Sequence, residues 1–323
     1  MSPSGPLQLG FIPLVDAAPL IVAQEKGYFA AEGLSVSLSR EGSWATVRDK
    51  VAAGALDGAH MLAPMVLASS LGIGSETKAM IAPIALNQGG AAVTLSTRLA
   101  GEGEAGARLT HLVRRRQEEG ASPLTLAAVY PFSLHNYLLR HWLAGLGLNP
   151  DVDVRLTVVP PPRTADLLGE GVIEGFCAGA PWNAVAEAAG VGQTVVRVSE
   201  VWPEAPDKVL GVTEFWAAAN PAILQSLIRA LAGAGVWAAD PRNQRELVAL
   251  LARQEFLDAG PEAITAGLAE IAFAGAGVNL PRPEQAVWLL EQMARWGQIG
   301  EVAIDRVAER TWRPDLYLAA QGD

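Results

Sequence analysis

Short alternating apolar runs, amphipathic runs at helical spacing between them, and one pattern that occurs twice predict an α/β protein made of two similar lobes. Leu7, Leu9 and Phe11 alternate in Leu-Gln-Leu-Gly-Phe, Val36 and Leu38 stand between serines, and Val154, Leu156 and Val158 are interleaved with Asp153, Arg155 and Thr157. Each of these runs reads as a strand. Asn220-Pro221 reads as an N-cap with proline at the first helical position, and Ile223, Leu224, Leu227, Ile228 and Leu231 follow on one helical face. Asp240-Pro241 repeats the device, and Ala286, Leu289, Leu290, Met293 and Trp296 mark another amphipathic helix. Strands that alternate with helices imply largely parallel sheets.

The repeated pattern is Gly, any residue, aliphatic, acid, Gly, four residues, Ala-Pro. It runs from Gly54 through Asp57 and Gly58 to Ala63-Pro64, and again, without a gap, from Gly171 through Glu174 and Gly175 to Ala180-Pro181. Each copy follows an expected strand and helix, so each is one β-α-β segment used twice. Two copies are too few for a solenoid, which leaves two like lobes whose equivalent strand ends face one cleft.

Composition narrows the function. A chain of 323 residues suggests two packed units at about 150 residues per domain. With 24 Lys+Arg against 34 Asp+Glu the formal charge is −10, which argues against direct nucleic-acid binding. Arg114-Arg115-Arg116 is followed by glutamates and reads as a solvated helix surface. The single cysteine, Cys177, excludes an internal disulfide and a cysteine metal cluster. The opening Met-Ser-Pro-Ser-Gly-Pro-Leu-Gln-Leu has no basic stretch followed by an apolar core, so the expectation is a cytoplasmic protein, or a periplasmic one if a leader has been removed. No apolar run reads as long enough to span a bilayer, and no membrane insertion is expected.

Catalytic motifs do not appear. His60, His111, His135 and His141 lack metal-ligand spacing, and there is no nucleophile elbow, phosphate loop or dinucleotide turn. The expectation is a binding protein, not an enzyme, with no cofactor and no metal. Cys177, in Gly-Phe-Cys-Ala-Gly, reads as a buried small residue. Ser43 is an N-cap candidate that places Trp44 at a helix N-terminus, where free backbone N–H groups favour an anion. His135 opens a further helix, where it can cap or contact ligand. Lys208 precedes an apolar run and has Asp207 beside it as a partner.

At these segments the chain resembles a known family. Gly10-Phe-Ile-Pro-Leu-Val-Asp16, Lys26-Gly-Tyr-Phe, Ser43-Trp44-Ala-Thr-Val-Arg48-Asp49, His135-Asn-Tyr-Leu-Leu-Arg140, Pro181-Trp-Asn183, Lys208-Val-Leu-Gly-Val and Arg295-Trp-Gly-Gln298 are similar to the nitrate/bicarbonate-binding proteins of ABC importers. The likeness extends to their cytoplasmic relatives, the nitrate/nitrite sensors of the NasS type. It implies a type II periplasmic-binding-protein fold, two α/β lobes around a ligand cleft with a two-strand hinge. Lobe one would comprise residues 1–93 and 211–323, and lobe two residues 94–210.

The resemblance further implies that nitrate or nitrite is held by Trp44, His135, Gly179 and Lys208, with Asn87 and Gln88 as amide candidates. Ala180 stands where many relatives carry Glu, which speaks against a calcium-bridged ligand. Lacking a recognisable leader, the chain is expected to act as a cytoplasmic sensor that releases an ANTAR-type antiterminator regulator when ligand binds. The alternative is the solute-binding component of an importer, with an ABC permease as partner.

Overall fold

The computed structural model describes residues 5–101 and 104–322; residues 1–4 of the N-terminal stretch and 102–103 of the Gly-Glu segment lie outside the described residues. In chain order its strands are β1 (Leu7–Phe11), β2 (Val36–Arg40), β3 (Gly58–Leu62), β4 (Met80–Ile81), β5 (Gln88–Gly89), β6 (Ala91–Ser96), β7 (Leu124–Ala128), β8 (Val154–Val158), β9 (Gly175–Gly179), β10 (Gly192–Arg197), β11 (Lys208–Thr213) and β12 (Ile271–Ala272). One sheet has the order β2-β1-β3-β11-β4 and the other β8-β7-β9-β6-β10, while β5 and β12 form a small ribbon.

The two orders are the same arrangement built twice. In the first sheet β1 is parallel to β2 and β3, and β11 is antiparallel to β3. In the second, β7 is parallel to β8 and β9, and β6 is antiparallel to β9. The repeated sequence pattern supplies the matching parts. Asp57 Oδ2 accepts from the Gln8 N–H at 2.8 Å, and Glu174 Oε2 accepts from the Thr125 N–H at 2.8 Å, so each acid closes a donor on the adjacent strand. The glycine after each acid lies under the antiparallel strand. A Cβ at Gly58 would stand 2.8 Å from Val212 and 3.2 Å from the Gly211 carbonyl, and one at Gly175 would stand 2.6 Å from Leu95 and 3.0 Å from the Thr94 carbonyl. The pattern diverges at its end, where Ala180-Pro181 is a cis peptide.

Each antiparallel strand is the first that its sheet receives after the chain crosses between sheets: β6 opens the second sheet after β4 of the first, and β11 returns to the first after β10. The expected boundaries at 93/94 and 210/211 fall inside β6 and β11, each of which belongs whole to one sheet. Because β11 is antiparallel, Lys208 at its start lies opposite Leu62 at the end of β3, on the edge where the parallel strands finish.

The helix Pro221–Ala239 differs from expectation in one respect, being 19 residues long and apolar enough by length and composition to cross a membrane. Arg229 is the one charged residue in it, and it reads as apolar nearly all round because Leu224, Leu227, Ile228 and Leu231 are buried in lobe one with Leu20, Ile21 and Phe29. Asn220 precedes it but makes no capping bond, its amide donating instead to the Trp216 carbonyl at 2.9 Å. The helix Pro283–Arg295 follows the expected stripe, with Ala286, Leu289, Leu290 and Met293 buried.

Gly175→Ala should lower the unfolding free energy by about 1–3 kcal/mol, because the added methyl meets backbone as well as the Leu95 side chain. Urea titration monitored by tryptophan fluorescence measures it. The same titration on Gly145→Ala, whose Cβ meets nothing within 4 Å, should show no loss.

Candidate functional site

The carboxyl ends of the parallel strands converge between the sheets, the usual place for a ligand in open α/β folds. After β1 the chain turns through Pro13 and Leu14 and presents Asp16, fully buried. From β3 comes His60, whose Nε2 lies 2.7 Å from Asp16 Oδ1. Strand β11 brings Lys208, with no exposed surface, and its Nζ donates to Asp16 Oδ2 at 2.8 Å and to Asp207 Oδ2. The helix Trp44–Ala53 begins with Trp44 because Ser43 Oγ caps it, accepting from the Thr46 N–H at 3.2 Å. The indole packs 5.4 Å from the His60 ring, and Lys208 Nζ stands 5.7 Å from the Trp44 ring centre.

Lobe two contributes His135 and Gly179. His135 lies in the first turn of the helix Leu134–Gly145, capped by Ser133 through the Asn136 N–H at 3.1 Å, so His135 is not the cap and its ring is left for other contacts. Its Nε2 is 3.8 Å from Asp207 Oδ2. Gly179 ends β9 close against this group, and a Cβ there would lie 3.3 Å from Asp16 Oδ2 and 3.4 Å from His135 Nε2. Among the described residues no hydrogen-bond partner reaches Trp44 Nε1, either ring nitrogen of His135, His60 Nδ1 or Asp207 Oδ1, all of them buried. A buried polar atom without a partner costs free energy, so such a concentration points to a ligand.

Charge is what holds the cluster in order. Burial alone would push Lys208 down, but Asp16 and Asp207 outweigh it and the ammonium is held above its ordinary value. Burial likewise opposes ionisation of Asp16, yet Lys208 and His60 hold its carboxyl far below the usual 3.8. Burial, with Lys208 adding to it, lowers His135 from 6.5 to about 4, against the pull of Asp207 and Asp16. His135 is therefore neutral at pH 7, with one ring nitrogen able to donate and one able to accept. Burial also raises the Cys177 thiol well above its ordinary range, so it remains unionised beside the cluster.

Thus the structure gathers Trp44, His135, Gly179 and Lys208 from both lobes. Asn87 is one step removed, its Oδ1 accepting from the Lys208 backbone N–H at 3.2 Å and its Nδ2 donating to the Gly89 carbonyl at 3.2 Å. Gln88 lies in the small ribbon, its backbone paired with Ala272 and bridged to Pro206. Three residues escaped sequence reasoning as site members: Asp16, His60 and, as more than a neighbour of Lys208, Asp207.

Further contacts join the lobes around the cluster. Val15 N–H donates to the Ala180 carbonyl at 2.9 Å, and Trp182 Nε1 donates to the Pro13 carbonyl at 3.1 Å. Arg48 Nη1 donates to Tyr130 Oη at 2.6 Å, and Tyr137 Oη donates to Gln298 Oε1 at 2.8 Å.

The model of the NMT1-like family matches residues 2–252. The chain belongs to the NMT1-like family. Its relatives include the nitrate import ATP-binding protein NrtC of Synechocystis sp. PCC 6803, 37% identical over 96% of this chain and 49% of that protein. The bicarbonate transport ATP-binding protein CmpC of the same organism is 38% identical over 91% of this chain and 46% of its own length. The chain thus spans about half the length of these two relatives. The nitrate/nitrite binding protein NrtA of Synechococcus elongatus is 30% identical over 97% of this chain and 76% of that protein.

Among solved structures, the periplasmic nitrate-binding protein NrtA from Synechocystis PCC 6803 superposes with a TM-score of 0.92 at 26% identity, over 98% of this chain and 88% of that one. The alkanesulfonate-binding protein SsuA from Xanthomonas axonopodis, at TM-score 0.72 and 12% identity over 98% and 99% of the two chains, shows the fold alone. This NMT1-like chain therefore has the periplasmic-binding-protein fold, with its buried ion cluster where the two lobes meet.

The shifted groups give the site a pH signature. His135 binds its proton more weakly folded than unfolded, so stability is whole above pH 6.5 and falls as pH drops from 6.5 towards 4, by about 1.4 kcal/mol per unit at most. His135→Gln should make that fall about 3 kcal/mol shallower in urea titrations run from pH 8 to pH 4. Asp16 acts in the same sense at lower pH, its contribution being present above its ordinary value and draining away below pH 3.8. Asp16→Asn, which breaks a buried pair, should cost about 3–5 kcal/mol at pH 7 and flatten the profile in acid.

Proposed function

We propose that this chain binds a small planar oxyanion of single charge, of the nitrate, nitrite or hydrogen carbonate class, between its lobes, and serves as the solute-binding unit of an ABC import system. The observation that carries the reading is the meeting of Trp44, His135 and Lys208 from both lobes, buried, with the indole N–H and both imidazole nitrogens unpartnered among the described residues. A planar monoanion matches the indole and imidazole donors that supply direction, together with the one Lys208 N–H not given to Asp16 and Asp207. Enclosure removes competing water, so each donor acts in a low dielectric. We take the lobes to divide at the two crossings, near residues 89–91 and 197–208, and to close about them.

The importer role is supported by relatives named for nitrate import, bicarbonate transport and nitrate/nitrite binding. An importer of this kind takes its solute from outside the membrane, and the periplasmic description of the solved NrtA supports an extracytoplasmic site of action in preference to the cytoplasm. An ABC permease is then the partner. A second reading, a ligand-sensing module that acts on an attached nucleotide-handling subunit in place of a separate ANTAR-type antiterminator, draws on one observation. The chain has no Gly-x-x-x-x-Gly-Lys-Ser/Thr motif, yet aligns with about half of ATP-binding proteins, so a module like it also exists joined to a nucleotide-handling subunit.

Calorimetric titration with nitrate, nitrite and hydrogen carbonate tests the binding claim. Trp44→Phe keeps the ring and removes the N–H, and should weaken anion binding by about tenfold to a hundredfold. Lys208→Met should abolish measurable binding and, because it strands the Asp16 and Asp207 carboxylates, lower stability by about 3–5 kcal/mol in a parallel urea titration. Absence of heat with all three anions in the unaltered protein would overturn the proposal.

A further inference from the structure

Asp207 is the one member of the cluster that a bound oxyanion would not welcome. Its Oδ2 is engaged by Lys208 Nζ and lies 3.8 Å from His135 Nε2, the two groups proposed to hold the ligand. Its Oδ1 is buried and, among the described residues, receives no hydrogen bond. An ionised carboxylate is acceptor-only. An oxygen of nitrate or nitrite lodged against it would set acceptor against acceptor, whereas a ligand with an O–H would satisfy Oδ1 and keep its other oxygens for Trp44, His135 and Lys208. The groups around Asp207 do not remove the conflict. Lys208 is shared with Asp16, His60 is committed to Asp16, His135 is neutral at pH 7, and Cys177 is an unionised thiol.

Resting on the oxyanion reading above, we infer that Asp207 is a specificity-determining residue, which selects a singly charged planar oxyanion that carries its own proton, hydrogen carbonate, over the proton-free nitrate and nitrite. Hydrogen carbonate donates its O–H to Asp207 Oδ1 and enters without change of protonation. Nitrate binds only when a proton from solvent is taken up onto Asp207, which then donates to the anion. A site built around a ligand hydroxyl rejects analogues that lack it far more strongly than a site defined by shape alone. The comparisons are consistent with either anion, since both nitrate and bicarbonate systems occur among relatives of similar identity.

The test is calorimetry at pH 8 with sodium hydrogen carbonate and sodium nitrate, in two buffers of different ionisation enthalpy so that protons are counted. The unaltered protein should bind hydrogen carbonate at least tenfold more tightly than nitrate, with no proton uptake for hydrogen carbonate and about one for nitrate. Asp207→Asn, whose amide donates without a proton, should reduce that ratio at least tenfold and abolish the uptake. An unchanged ratio in a natively folded Asp207→Asn, or nitrate uptake that persists in it, overturns the inference and leaves the oxyanion reading standing. Should that variant not fold, nitrate binding to the unaltered protein with no proton uptake overturns the inference by itself. No heat with either anion overturns the oxyanion reading and the inference with it.

Discussion

A lysine ammonium with no exposed surface, clamped between two carboxylates, is the interaction around which this protein is arranged. Taking three charges out of water costs several kcal/mol each, and only close pairing recovers it. Lys208 therefore has to be delivered to the sheet edge where Asp16 waits, and antiparallel insertion of β11 beside β3 delivers it. Lobe two then closes the other side with His135 and Gly179. Because the lysine is already paired within lobe one and the crossing that precedes it, an incoming ligand meets a fixed charge instead of organising one.

The motifs that made the family legible divide into those that touch the cluster and those that hold the lobes at the correct distance from it. Trp44 and His135 belong to the first group. Arg48, four residues after Trp44, reaches Tyr130 in the other lobe, and Tyr137, two after His135, reaches Gln298. Trp182 spans to Pro13, and Asn183 holds β6 through the Ala92 carbonyl and Thr94 Oγ1 at 3.0 and 2.9 Å. A motif of this sort records two demands on one short segment, chemistry at the first residue and inter-lobe contact one helical turn or less away.

Much of the fold could be read before any coordinates, because it is local. Alternation placed β1, β2 and β8, and the repeated Gly-acid-Gly pattern marked β3 and β9, whose glycines and acids meet the same packing demand in each lobe. What could not be read is non-local. Asp16 and Lys208 are far apart in the chain, and no spacing rule connects a loop aspartate to a strand lysine. Gln88 lies in the small ribbon with its backbone paired to Ala272, a long-range pairing that no local pattern announced. The long apolar helix Pro221–Ala239 was underrated as a continuous run because its alanines and glycines serve close packing among lobe-one helices more than they add hydrophobicity.

The late return of β11 to the first sheet also bears on how the chain reaches this state. Among the described residues strand β4 pairs only with β11, so residues 80–81 find no place in a sheet until residues 208–213 are available, by which point every strand of the second sheet has already been made. A chain that emerges from its N-terminus can thus complete lobe two while lobe one has only its three parallel strands. The order of synthesis places the slow, long-range closure of lobe one last. That same closure seats Lys208 against Asp16, so sheet completion and assembly of the ion cluster are a single late event.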